Sequence, residues 1–271
     1  MLSDSRMVNY AYLTVRPSVE FFGGVPIHYG DGFDAQVRWP IGDGILSSEF
    51  FAGFAREKLP YYELNNSRSL KYSLGYQQGS WQFRYIYAQS RLANDIPNLN
   101  DLRTTLSAAG AESAASALSL SGSLSRYHSL GAAYDDGNWQ LQAAINAVNH
   151  DFVMFEDSRA AYVIVSHRFG QLSPFVGYAR GMSKAKNLDT GLPAAFFSDL
   201  NTGVANVLKR THQDQRTITL GARWDFARNM DLKVQLDLIK GNASSIFLYE
   251  NVKPGWNGQT NLLSVALDFV F

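Results

Sequence analysis

Apolar and polar residues alternate along much of this chain, most plainly at its end. In residues 261–271, NLLSVALDFVF, one parity carries Leu263, Val265, Leu267, Phe269 and Phe271. The other carries Leu262, Ser264, Ala266, Asp268 and Val270. A period of two means a β-strand with two unlike faces. The same pattern recurs upstream and predicts strands over residues 33–40, 45–56, 68–77, 80–91, 123–134, 139–150, 159–168, 172–184, 215–226 and 230–241. Tight turns at 41–44, 78–79, 135–138, 169–171 and 227–229 join them into hairpins. Longer connections follow at 57–67, 92–122, 151–158, 185–214 and 242–260. The expected architecture is all-β and antiparallel, with about eleven or twelve strands.

Short turns on one side and long loops on the other are the layout of a transmembrane barrel, whose strands need about ten residues to cross a bilayer. The aromatic positions agree. Trp39, Trp81, Trp139 and Trp224 each stand beside a short turn, with Tyr76, Tyr134, Phe226 and Phe271 at the same level. Trp139 continues the face of Leu141 and Ile145, and Trp224 that of Ile218 and Leu220. Such a ring on the outward face reads as an aromatic girdle at a membrane–water boundary. The opposite parity holds Asp34, Arg38, Glu49, Lys71, Arg84, Gln140, Gln142, Asn146, Thr217, Thr219, Arg223, Asp225, Lys233, Gln235, Asp237, Ser264 and Asp268. Charges of both signs with amides and hydroxyls suit a water-filled lumen, whereas burying them unpaired would cost several kcal/mol each. Residues 159–168 and 172–184 have no clear parity.

Composition narrows the class. Charged residues are 18%, against about 25% in ordinary soluble domains. The mean hydropathy of -0.17 is what alternating strands produce by cancellation. Formal net charge is +0, so no basic footprint points to nucleic acid. With Cys 0, disulfides and thiolate metal sites are excluded. Residues 1–16 lack the apolar core of an export signal. Residues 1–32 are rich in Gly and Pro and read as an irregular segment, with room for a short strand within 8–15. The alanine-rich stretch within 92–122 allows a short helix.

The segment VEFFGG, the run FDAQVRWPIGDGILSSEF (33–50), the run LGARWDFARNMDLKVQLD (220–237) and the terminal LDFVF together resemble Gram-negative outer-membrane porins. The resemblance extends over most of the chain. It implies a barrel of about sixteen strands, a homotrimer, and a loop folded inward to narrow the pore. Laid on that pattern, residues 1–32 correspond to the inward loop and 33–271 to the barrel strands. The first five strands would then be missing. The chain is accordingly either the C-terminal part of a larger porin or a smaller barrel. Eleven strands leave the first and last parallel at closure, and a twelfth within 8–15 would restore antiparallel pairing. The resemblance also makes Glu20, Asp31 and Asp34 the acidic side of a constriction, with Arg38, Lys71, Arg84, Arg223 and Lys233 as basic wall partners. Opposed patches of this kind set a transverse field that sorts solutes by charge.

The expected function is passive diffusion of small hydrophilic solutes and ions across a bacterial outer membrane, with no cofactor or metal. The expected partners are membrane lipid, the solutes, two further copies in a trimer, and the barrel-assembly machinery, which would read the C-terminal strand. A twelve-strand barrel of another class, an autotransporter translocator or an oligosaccharide-specific channel, is the alternative. A soluble all-β binding protein is a third reading. Catalysis is not expected: HExxH, GxSxG and phosphate-loop motifs are absent, and the five His residues are dispersed.

Overall fold

The computed structural model of the chain describes residues 13–23, 30–58, 63–245 and 254–270. Eleven strands form one antiparallel sheet in which each pairs only with its neighbours in sequence. They are β1 (Gly30–Ile41), β2 (Gly44–Lys58), β3 (Glu63–Gln78), β4 (Trp81–Arg91), β5 (Leu124–Asp135), β6 (Trp139–His150), β7 (Asp157–His167), β8 (Leu172–Lys184), β9 (Asp214–Ala227), β10 (Met230–Gly241) and β11 (Gln259–Phe269). Among the described residues no pairing joins β1 to β11. The twelfth strand considered within residues 8–15 is not seen in its described part, since residues 13–16 form bends; residues 8–12 lie outside the described residues.

Four of the five tight turns have a local cause. Gly42, Gly79, Gly137 and Gly170 take positive φ, the region other residues avoid. In the turn after β5, Asp136 accepts hydrogen bonds from the backbone N–H of Asn138 and Trp139. That carboxyl is held below its ordinary value by the Trp139 and Asn138 N–H groups.

The long connections are structured too. That between β4 and β5 forms α2 (Asn100–Ala108) and α3 (Glu112–Ala117), and that between β8 and β9 forms α4 (Ala194–Leu208). Leu99, Leu106 and Leu118 pack with Phe152, Met154, Val204 and Val207 into one apolar core drawn from three connections. Helices α4 and α2 touch at Gly203, where a Cβ would stand in ordinary contact, 3.6 Å from Leu102 Cδ1. Asp95 anchors this cap. Its Oδ1 accepts from Ser119 Oγ at 2.8 Å, Leu120 N at 2.6 Å and Ser121 N at 2.9 Å, while Arg103 pairs with Oδ2 at 2.7 Å. Only a short helix was expected in 92–122, and 185–214 read as loop. The helices are stable because three separated segments bury their apolar faces on one another.

Candidate functional site

The register divides the sheet into two faces, because residues directly opposite in an antiparallel pair share a side. On one face lie Trp39, Leu46, Tyr76, Trp81, Tyr134, Trp139, Trp224 and Leu267, linked through successive cross-strand pairs. The four Trp residues here are 42 to 50% exposed, so among the described residues no segment lies over them. Phe226 shares their side and packs on Trp224 with ring centroids 5.5 Å apart; Trp81 packs on Tyr134 at 4.9 Å. The result is an aromatic band at the short-turn end of the outer face. Phe271 lies outside the described residues.

The inner face is polar and holds a segment of the chain's own N-terminal region. Residues 13–23 run across β6 to β10, with a helical turn α1 (Val19–Phe22) capped by Ser18, whose Oγ accepts from Phe21 N. Val15 N donates to Gln235 Oε1 at 2.9 Å, and Arg16 pairs with Asp237. Glu20 is 2% exposed and accepts from Gln215 Nε2 at 2.7 Å, from Thr217 Oγ1 and from Ser18 Oγ at 3.0 Å. Asn146 Nδ2 donates to Phe21 O at 2.8 Å, and Phe21 meets Tyr162 edge to face at 4.9 Å. Beside this latch lies a cavity of about 550 Å³ lined by Arg16, Glu20, Gln142, Tyr162, Thr219 and Asp237 among others. A second, of about 430 Å³, lies between Phe22 and the inner faces of β1 to β6 and includes Arg38, Arg84, Gln36 and Gln142.

The residues read from sequence as a constriction fall into three places. Lys71 pairs with Glu49 at 2.5 Å on the inner face of β2 and β3. Arg38 donates to Gln36 at 3.2 Å, and Arg38 and Arg84 both line the smaller cavity. Arg223 and Lys233 are direct cross-strand partners near the short-turn end of β9 and β10. Three carboxylates surround them: Arg223 pairs with Asp225 at 2.7 Å and Asp231 at 3.0 Å, and Lys233 pairs with Asp268 at 2.8 Å. The three acidic residues do not assemble. Glu20 is buried on β9, Asp34 stands on the exposed first strand opposite Phe51, and Asp31 pairs with Phe54 on the outer parity. The sequence pattern alone does not single out Arg16, Gln215 or Asp231 as site residues. Gln215 and Asp231 do lie on the inner parity of β9 and β10, which is the signal that could have found them.

Parity in β7 and β8, unassigned from sequence, is fixed by register. Ser158, Ala160, Tyr162, Ile164 and Ser166 point inward, opposite Ser183, Gly181, Ala179, Gly177 and Phe175. These side chains are small or apolar because they face α1 rather than open space. Among the described residues no group of His, Cys, Asp and Glu has metal-holding geometry.

No family model and no curated sequence matches this chain. Among solved structures, OmpF of Salmonella typhi, in complex with daunomycin, matches at 13% identity with a TM-score of 0.50, over 87% of this chain and 61% of that one. Outer-membrane expressed OmpT of Vibrio cholerae matches at 9% identity and a TM-score of 0.47, over 87% of this chain and 64% of that one. LpxR from Salmonella typhimurium matches at 11% identity with a TM-score of 0.30. The chain thus spans less than two thirds of OmpF, and the likeness establishes a shared fold. That fold is the all-β antiparallel architecture of bacterial outer-membrane barrels.

Proposed function

We propose that this chain resides in a bacterial outer membrane and forms a water-filled path for passive diffusion of small hydrophilic solutes and ions. The observation that carries the reading is the contrast between the two faces of one sheet. Below its long-loop rim the outer face is apolar, uncovered among the described residues, and banded with Trp and Tyr at the short-turn end. The inner face holds Arg38, Glu49, Lys71, Arg84, Arg223, Lys233 and Asp268 with amides and hydroxyls between them. A sheet with lipid on one side and water on the other needs that distribution. In this reading residues 13–23 narrow the path from the β6–β10 side, and Arg38 and Arg84 give the opposite wall a positive potential. Association into a trimer and recognition of β11 by the assembly machinery belong to the same proposal.

Planar-bilayer recording of the refolded chain tests it. Stable conductance steps are expected, and Arg84→Glu should move the reversal potential toward cation permeability in a salt gradient. Absence of steps from well-folded, inserted protein would overturn the pore. Unchanged selectivity in Arg84→Glu would remove that residue from its wall.

A further inference from the structure

One cross-strand row on the outer face changes character along its length. Starting at β5 it runs Leu130, Ile145, Ala161, Arg180, Arg216 and Lys240, each directly opposite the next. The first three are apolar or small, and the last three are cations. Counted along the strands, the row climbs toward the long-loop end: Arg216 is the third residue of β9 and Lys240 the last but one of β10. Strand tilt in a membrane barrel produces such a climb.

Like charges directly opposite one another destabilise a sheet. Here three cations adjoin, and a single carboxylate, Asp214, pairs with Arg180. Arg216 and Lys240 are exposed and have no carboxylate partner among the described residues. Arg159 lies diagonal to Arg180 and adds a fourth charge. Below the cations the surface is concave. Ala147 and Ala161 leave a groove of about 440 Å³ bounded by Leu130, Ile145 and Met182, with Arg159 and Arg180 on its lining. An apolar trough ending in a cluster of cations that outnumber the one carboxylate among them has the shape and polarity of one amphiphile. Arg favours phosphate because its planar fork binds oxygens in pairs.

We propose that this row is a binding site for a phosphate-bearing lipid. The headgroup phosphate would lie on Arg180, Arg216 and Lys240, and an acyl chain over Ala161 and Ile145. The site rests on the membrane placement proposed above. It gives the long-loop rim a lipid preference that the aromatic band at the other rim lacks.

The test uses the refolded full chain in vesicles of phosphatidylcholine, with and without phosphatidylglycerol, followed by mild detergent extraction and quantification of retained lipid. Selective retention of phosphatidylglycerol is expected. Each of Arg216→Gln and Lys240→Gln should weaken it about fivefold, the effect of one cation near an anionic surface. Ala161→Phe should fill the groove and lower retention with every cation in place. Equal retention of the two lipids, or variants that retain lipid as the parent does, would overturn the site while leaving the pore proposal intact. Full displacement of lipid by millimolar inorganic phosphate would reduce it to an anion site and overturn the acyl groove. Failure to enter any vesicle would reject the membrane placement and this site with it.

Discussion

Thr217→Val interrogates the latch with little change of shape. The substitution keeps the branched side chain and removes the hydroxyl that donates to Glu20. Glu20 is buried and keeps Gln215 and Ser18 as donors. A hydrogen bond to a charged group contributes about 1.5–3 kcal/mol, and a buried acceptor left short of a donor costs a similar amount. Taking about 2 kcal/mol, the equilibrium between latched and released segment shifts roughly thirtyfold. The assay is amide hydrogen exchange of a peptide spanning residues 13–23, read beside peptides from β8 and β10. Protection of 13–23 should fall by about that factor while the strands keep theirs, because α1 opens as a local unit. If the segment narrows a pore, single-channel current should rise with it. Unchanged exchange in 13–23 would refute the latch. An equal loss in every peptide would show instead that Thr217 supports the sheet as a whole.

Three further outcomes are expected. Leu236→Arg, at the centre of β10 between Leu220 and Leu263 on the outer face, should cost about 2–4 kcal/mol in denaturant titrations of the lipid-folded chain; a negligible cost would place that face away from lipid. Gly221→Ala should destabilise by about 1–3 kcal/mol in the same titrations, because a Cβ there meets the Phe175 ring and stands 2.5 Å from Val234 O; a neutral result would mean that both the Phe175 ring and the β10 backbone at Val234 yield without cost. Burial raises the Asp95 carboxyl, but N–H donation from Ser121 and Leu120, the Ser119 hydroxyl and Arg103 outweigh it and hold the group below 3.8. A depressed folded value means the stabilisation is whole above 3.8 and drains away as pH falls from there through the folded value. Exchange of α2 and α3 peptides should therefore speed up in that acid window, and in Asp95→Asn the window should vanish.

The eleven strands and five tight turns were legible because each is written locally, in alternation and in turn residues such as Gly42 and Gly137. The outer aromatic positions could be read for the same reason: Trp139 and Trp224 carry the parity of their own strands. What failed to show depends on partners far off in sequence. Tyr162 and Ala179 look like neither face, since the surface they meet is Phe21 and Phe22 of α1. Beyond the short helix allowed within 92–122, the helical cap is not written locally, because Leu106, Phe152 and Val204 each need the other two connections to be buried. The porin resemblance groups Asp31 with Asp34, and register separates them.

The strictly sequential strand order also sets a timetable. Every sheet pairing can form as soon as the next hairpin exists, so closure entropy stays small and the sheet can grow by addition at its edge. The latch is the opposite case. Val15 to Gln235 spans 220 residues, and Gln215 to Glu20 spans 195. The part of the described chain that is made earliest must therefore wait for nearly the latest before it can dock. Until β9 and β10 are in place, residues 13–23 have no seat, and the folding route delivers an empty sheet first and an occupied one afterwards.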